Sequence, residues 1–208
     1  MQNAVSLSGL AVFALFLFIS ISLHETMHAY IAYKLGDDLA HSRGRISLNP
    51  LRHIDPMLTI ALPVFMILMG LPPILAAKPV PINVNRVSGD EMGLAAIGIA
   101  GPLTNLLLAT IASIVLNGLS LNPGSIRDLF TLFIELNVRL FVFNMLPIPP
   151  LDGSRLLYAL APRSLQVLME KMEQMGIFIS IMIIFLLLSV LGPILINAGD
   201  FILNILIR

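Results

Sequence analysis

Residues 4–36, AVSLSGLAVFALFLFISISLHETMHAYIAYKLG, decide how the chain is read. The run from Ala4 to Leu23 carries no charge and passes without a breaker into His24-Glu25-Thr26-Met27-His28. Gly36 is the first residue after the histidines suited to stop a helix, because glycine tolerates the left-handed backbone of a C-terminal cap. One helix of about thirty residues follows, longer than the ~20 needed to cross the hydrocarbon of a bilayer. Its second half carries the histidines. His24 and His28 are four apart, so one turn separates them on one face and both can reach one ion. Glu25 stands where HExxH metalloproteases place the residue that handles the proton of the attacking water.

Composition supports a membrane setting. The chain has 208 residues, 57% hydrophobic and 12% charged, with mean hydropathy +0.94. A soluble domain carries about 25% charged residues, so much of this surface must face lipid. The length suits a single membrane-embedded domain, residues 1–208, all-α and polytopic, with four to five spans. A formal net charge of zero offers no field for nucleic acid. There is no cysteine, so disulfides, thiolate ligands and a cysteine nucleophile are excluded, and a metal site must use His, Asp or Glu. The first run lacks a basic lead and a small-residue cleavage site, and reads as a retained helix.

Residues 37–55 read as a polar loop. A second apolar run, Met57–Ala77, is interrupted by Pro63, Gly70, Pro72 and Pro73, and Lys78-Pro79-Val80-Pro81-Ile82-Asn83 should be extended because alternating prolines forbid a helix. The third run, Met92–Leu119, holds small residues at 93, 98 and 101 that permit close helix approach, and Asn105 should bond between helices. Asn117–Ser125 reads as a turn. The fourth run, Ile126–Leu146, ends in Pro147-Ile148-Pro149-Pro150-Leu151-Asp152-Gly153; within it Glu135 and Arg139, four apart, should form an ion pair. After a polar segment, Ala161–Gln174, a fifth run from Gly176 to Leu191 should end at Gly192-Pro193. The eleven methionines follow from an apolar chain and need no cofactor.

A charged residue at the centre of a membrane helix costs at least ~2.5 kcal/mol. Two histidines and a glutamate placed there together call for compensation, which a divalent cation offers. Zinc then needs a third protein ligand and keeps one position for water. His41 and His53 sit in the polar loop, where His53 reads more simply as a hydrogen-bonded loop residue; Glu135 lies inside the fourth run. Asp152 follows three helix-breaking prolines, and a carboxylate beside unwound backbone is easier to aim at a metal.

His24-Glu25-Xaa-Xaa-His28 followed by Asn144-Met145-Leu146-Pro147-Ile148-Pro149-Pro150-Leu151-Asp152-Gly153 resembles the site-2 protease family of intramembrane zinc metalloproteases. Asn49-Pro50, His53-Ile54-Asp55-Pro56, Lys78-Pro79-Val80-Pro81 and Gly101-Pro102-Leu103-Thr104-Asn105 resemble its compact prokaryotic-type members, without PDZ or CBS domains. The likeness covers most of residues 21–157. It implies Asp152 as third ligand of one zinc ion, Glu25 as catalytic acid/base, and a catalytic role for Asn144 on substrate backbone or the oxyanion. A bland role for Asn144, capping the broken helix end, is equally compatible with the residues.

Basic residues favour the cytoplasmic side. Lys34, Arg43, Arg45 and Arg52 after the first run, and Arg155, Arg163 and Lys171 after the fourth, place the metal site toward the cytoplasmic face of a prokaryotic plasma (inner) membrane. The third run must then travel outward, so residues 57–83 should enter and return as a re-entrant hairpin broken around Gly70–Pro73. The expected function is endopeptidase cleavage within or next to transmembrane segments of membrane-protein substrates. A metal transporter would need acidic or histidine residues along a path, and a silent chaperone-like relative would lack a catalytic residue; neither pattern is present.

Overall fold

A computed structural model of the chain describes residues 7–68, 77–119 and 124–207. Among these, every regular element is helical and no strand occurs. They fall into two compact units, Met1–Ser88 and Gly89–Arg208.

The first unit is built on α1, Leu7–Lys34. Leu10, Leu15 and Phe18 stand exposed, as expected of a helix solvated by lipid. Gly36 ends the helix as expected, with φ +102°. A Cβ there would lie 3.0 Å from the Arg86 carbonyl oxygen, because the chain returns at this point and Ser88 N–H donates to the Leu35 carbonyl at 2.8 Å. Asp37, fully buried, accepts from Leu39 N–H and from Asn83 N–H at 2.6 Å. One carboxylate thus joins both ends of the intervening segment. The polar loop holds α2, Leu39–Ser42, and a 3-10 turn, Pro50–Arg52.

A wide, π-type winding over Pro56–Ala61 leads into α3, Leu62–Leu68. This helical stretch rises only about 20 Å, less than the ~30 Å hydrocarbon thickness, and cannot cross by itself. The expected break at Gly70–Pro73 lies outside the described residues. Residues 77–83 are non-helical, as their prolines require, and Lys78 N–H donates to the His53 carbonyl at 2.8 Å.

The second unit opens with α4, Asp90–Gly118. Its inward stripe is mostly small: Gly98, Gly101, Asn105, Ala109 and Ala112 are buried, whereas Leu103, Leu107, Ile111 and Ile114 stand exposed. Small-in, large-out is the membrane arrangement, because close backbone packing drives association where lipid is as apolar as leucine. Against this stripe packs α5, Ser125–Asn144. Ile134 and Val138 complete a core with Ala109, Ala112 and Leu116. Asn105 Nδ2 donates to Asn137 Oδ1 at 2.9 Å, both residues fully buried, so the expected interhelical bond exists. Asn105→Ala should strand the Asn137 carbonyl oxygen and lower stability by about 1–2 kcal/mol, measured as a lower unfolding midpoint in detergent.

Two short helices, α6 (Gly153–Leu160) and α7 (Arg163–Gln174), occupy the segment after the fourth run. At their junction Tyr158 Oη donates to Glu170 Oε1 at 2.7 Å; that bond, with Arg163 beside it, holds the Glu170 carboxyl below its ordinary range. The last helix, α8, runs Ile177–Leu206, so Gly192-Pro193 does not end the fifth run. Instead the helix turns by 73° between Met182–Leu188 and Val190–Leu206. Residue 189 lies four before Pro193, the carbonyl that a proline ring displaces. Packing beyond the proline sustains the helix: Asn117 Nδ2 donates to the Leu206 carbonyl at 2.8 Å.

Two further expectations change. Arg139 pairs with Asp200 at 2.5 Å and donates to the Ile196 carbonyl, not to Glu135, which is exposed. Gly199 makes room for it, since a Cβ there would lie 2.3 Å from the guanidinium. Two described helices, Ser8–Lys34 and Asp90–Gly118, are long and apolar enough to cross a membrane, or three if bent α8 counts as one. The expected fourth run falls short because Arg127, Asp128, Glu135 and Arg139 all lie on α5.

Candidate metal centre

His24 and His28 are 7% and 6% exposed on α1. The helical spacing brings their Nε2 atoms to 3.0 Å, with the rings edge to face and their centroids 4.7 Å apart. Two nitrogens at ~2.05 Å from a tetrahedral zinc lie about 3.3 Å apart. The pair is thus preset to within a few tenths of an ångström of one shared cation. Two buried imidazole lone pairs at this distance require a positive charge or a proton between them, so the observed contact fits the metal.

Glu25 is half-buried beside the pair. The Glu25 charge reaches Arg45 in the loop after α1, a residue only 5% exposed. Burial pulls the Arg45 guanidinium below its ordinary pKa, and the Glu25 charge works in the opposite direction. The loop holding Arg45 is fastened across the motif: Thr26 Oγ1 donates to the Ser47 carbonyl at 2.7 Å, and His53 Nε2 donates to the same oxygen at 2.7 Å. His53 is therefore a buried loop fastener, and its bond to a carbonyl assigns the proton to Nε2. Arg45, Thr26, Ser47 and Asp37 carried no sequence signal beyond membership of the motif or the polar loop.

In the second unit, Asp152 is the residue just before α6. Its carboxylate makes no capping bond to that helix. The turn that presents it is tightly packed, with Pro149 fully buried. Gly153 sits so close to the end of α5 that a Cβ would lie 2.3 Å from the Met145 carbonyl oxygen. A Cβ on Gly98 of α4 would lie 2.9 Å from the Asp152 carbonyl oxygen. Both glycines are required by close backbone approach, and both hold the Asp152 turn. Asn144 ends α5 and donates one amide N–H to the Leu140 carbonyl at 3.0 Å, which leaves its second N–H for another acceptor.

Comparison with known proteins agrees with this chemistry. The chain is 36% identical over 193 residues to the YwhC protein of Bacillus subtilis (strain 168), covering 88% of this chain and 84% of that one. Residues 117–187 match the model of peptidase family M50. The chain belongs to peptidase family M50. Its match to Rip2 of Mycolicibacterium smegmatis is 34% identical over 144 residues, 64% of this chain and 51% of Rip2. Its match to the zinc metalloprotease MJ0392 of Methanocaldococcus jannaschii is 28% identical over 182 residues, 88% of this chain and 44% of that relative. The chain thus spans most of YwhC and about half of the other two. No solved structure matches it. The resemblance read from the paired motifs is confirmed, and the matched M50 stretch contains Asn144 and Asp152.

Proposed function

We propose that this M50 member is an intramembrane zinc endopeptidase that cuts within or next to transmembrane segments of membrane proteins. The observation that carries the reading is the buried His24–His28 pair, preset for one cation beside Glu25. His24, His28 and Asp152 form the donor set for a single zinc ion per chain, two imidazoles and a carboxylate, which leaves one position open. When bound, zinc supplies Lewis acidity to the scissile carbonyl and makes water at the site acidic enough to act near pH 7. Glu25 accepts the proton as water attacks and delivers it to the leaving amine. Arg45, on the loop side, feels the Glu25 charge. Asn144 donates its remaining amide N–H to substrate backbone or to the developing oxyanion, where such a donor contributes about 3–4 kcal/mol. Residues 1–208 are taken as one membrane-embedded catalytic domain.

Residues 57–83 enter and leave on one side, and the extended prolines at 79 and 81 offer an edge for an unwound substrate strand. Besides this re-entrant hairpin the chain makes four to five membrane crossings. The metal lies toward the cytoplasmic face of a prokaryotic inner membrane, since basic residues cluster after α1.

Reconstitution with a single-pass substrate tests the reading. Chelation should abolish cleavage and zinc should restore it, with one zinc per chain by elemental analysis. A substrate span carrying Gly or Pro near the cut should be cleaved faster than its Leu counterpart, because a helical peptide bond is shielded by its own hydrogen bonds. Equal rates would remove the unwinding requirement, and cleavage that survives complete metal removal would remove the mechanism.

A further inference from the structure

The loop after α1 and the proline segment at 78–81 border a half-open cavity of about 340 Å³, lined by Arg43, Arg45, Arg52, Lys78, Pro79 and Pro81 together with apolar side chains. All four charged lining residues are cations, and the lining holds no carboxylate. Glu25, beside Arg45, supplies one negative charge against these four. The volume is at the lower end for a small-molecule site, suited to a compact anion or headgroup.

Arg45 gives the second indication. It donates from Nη2 to the Lys78 carbonyl, yet its Nε, in a side chain 95% buried, has no partner. A buried cationic N–H without an acceptor costs free energy, and an anion in the adjoining cavity would offset the Arg45 charge without touching the shielded Nε. Arg52 commits Nη1 to the Gly44 carbonyl at 3.2 Å and keeps its other donors. Among the described residues, the side chains of Arg43 and Lys78 make no hydrogen bond. Several cations converging on one space match a phosphate, whose oxygens accept from several donors at once, better than a carboxylate. Leu51 lines the cavity and is 73% exposed, and Leu48 nearby is 67% exposed. Apolar side chains bordering a basic pocket suit a ligand whose charged head continues into an acyl chain.

We infer that this cavity binds a phosphate group, supplied by an anionic phospholipid headgroup at the membrane surface, and so moors the loop that covers the metal-bearing helix. This site does not depend on the proteolytic reading. The full chain in an uncharged detergent is titrated with short-chain phosphatidylglycerol, the matching phosphatidylcholine, inorganic phosphate and an acidic peptide. Native mass spectrometry and the unfolding midpoint are read. Phosphatidylglycerol should bind saturably at one per chain and raise the midpoint, and phosphatidylcholine should not. Arg43→Gln with Lys78→Gln should weaken that binding at least tenfold, and Arg52→Lys, which keeps the charge but loses the fork, should weaken it less. Saturable inorganic phosphate without lipid binding keeps the phosphate site and overturns its lipid source. Unchanged phosphatidylglycerol binding by both variants, or binding of the acidic peptide alone, overturns the site.

Discussion

Glu25→Gln should leave one zinc per chain and lower the cleavage rate by roughly 10²–10⁴-fold, the range for loss of a general acid–base group. Gln is nearly isosteric and keeps a hydrogen-bonding oxygen, but it cannot take the proton of the attacking water. His24 and His28, held by the helix at 3.0 Å between Nε2 atoms, are untouched by the change. Elemental analysis therefore separates the two roles. A rate equal to wild type with zinc retained would show that Glu25 carries no proton, and the mechanism would fall. Loss of zinc together with activity would instead make Glu25 part of the metal set.

Gly153→Ala should have the second largest effect, and its sign runs against helix propensity. Alanine normally stabilises a helix by about 1 kcal/mol over glycine. Here the added methyl would sit 2.3 Å from the Met145 oxygen and 2.8 Å from the Leu146 oxygen. Both obstacles are backbone, so neither can rotate aside. The turn between α5 and α6 must open, and Asp152 moves with it. A misplacement of about 1 Å at a reacting centre costs on the order of 10²-fold in rate, and we expect a loss of at least that size with weaker zinc retention. Gly192→Ala is the control: nothing lies within 4 Å of its added Cβ, so it should leave zinc content and rate unchanged. Wild-type zinc affinity in Gly153→Ala would show that the turn does not position Asp152.

The metal pair was legible because its geometry is local. Two histidines four apart on an uninterrupted helix must share a face, and the stop at Gly36 is written in one residue's conformational freedom. The Asn105 bond was legible for a related reason, since a lone amide in an apolar run has to find another polar group. Sequence alone thus determined the helical class and the histidine face, from near-neighbour spacing and from the cost of polar groups in lipid, and the family, from its paired motifs. Tertiary structure decided the rest. Arg139 chose Asp200 over Glu135 because Gly199 opened a place for its guanidinium. The helix persisted beyond Pro193 because packing against α4 and α5 outweighed one missing hydrogen bond. Arg45 looked like one of several loop cations until folding buried it within reach of the Glu25 charge. Burial and long-range pairing depend on which distant segments meet, and no local spacing encodes that.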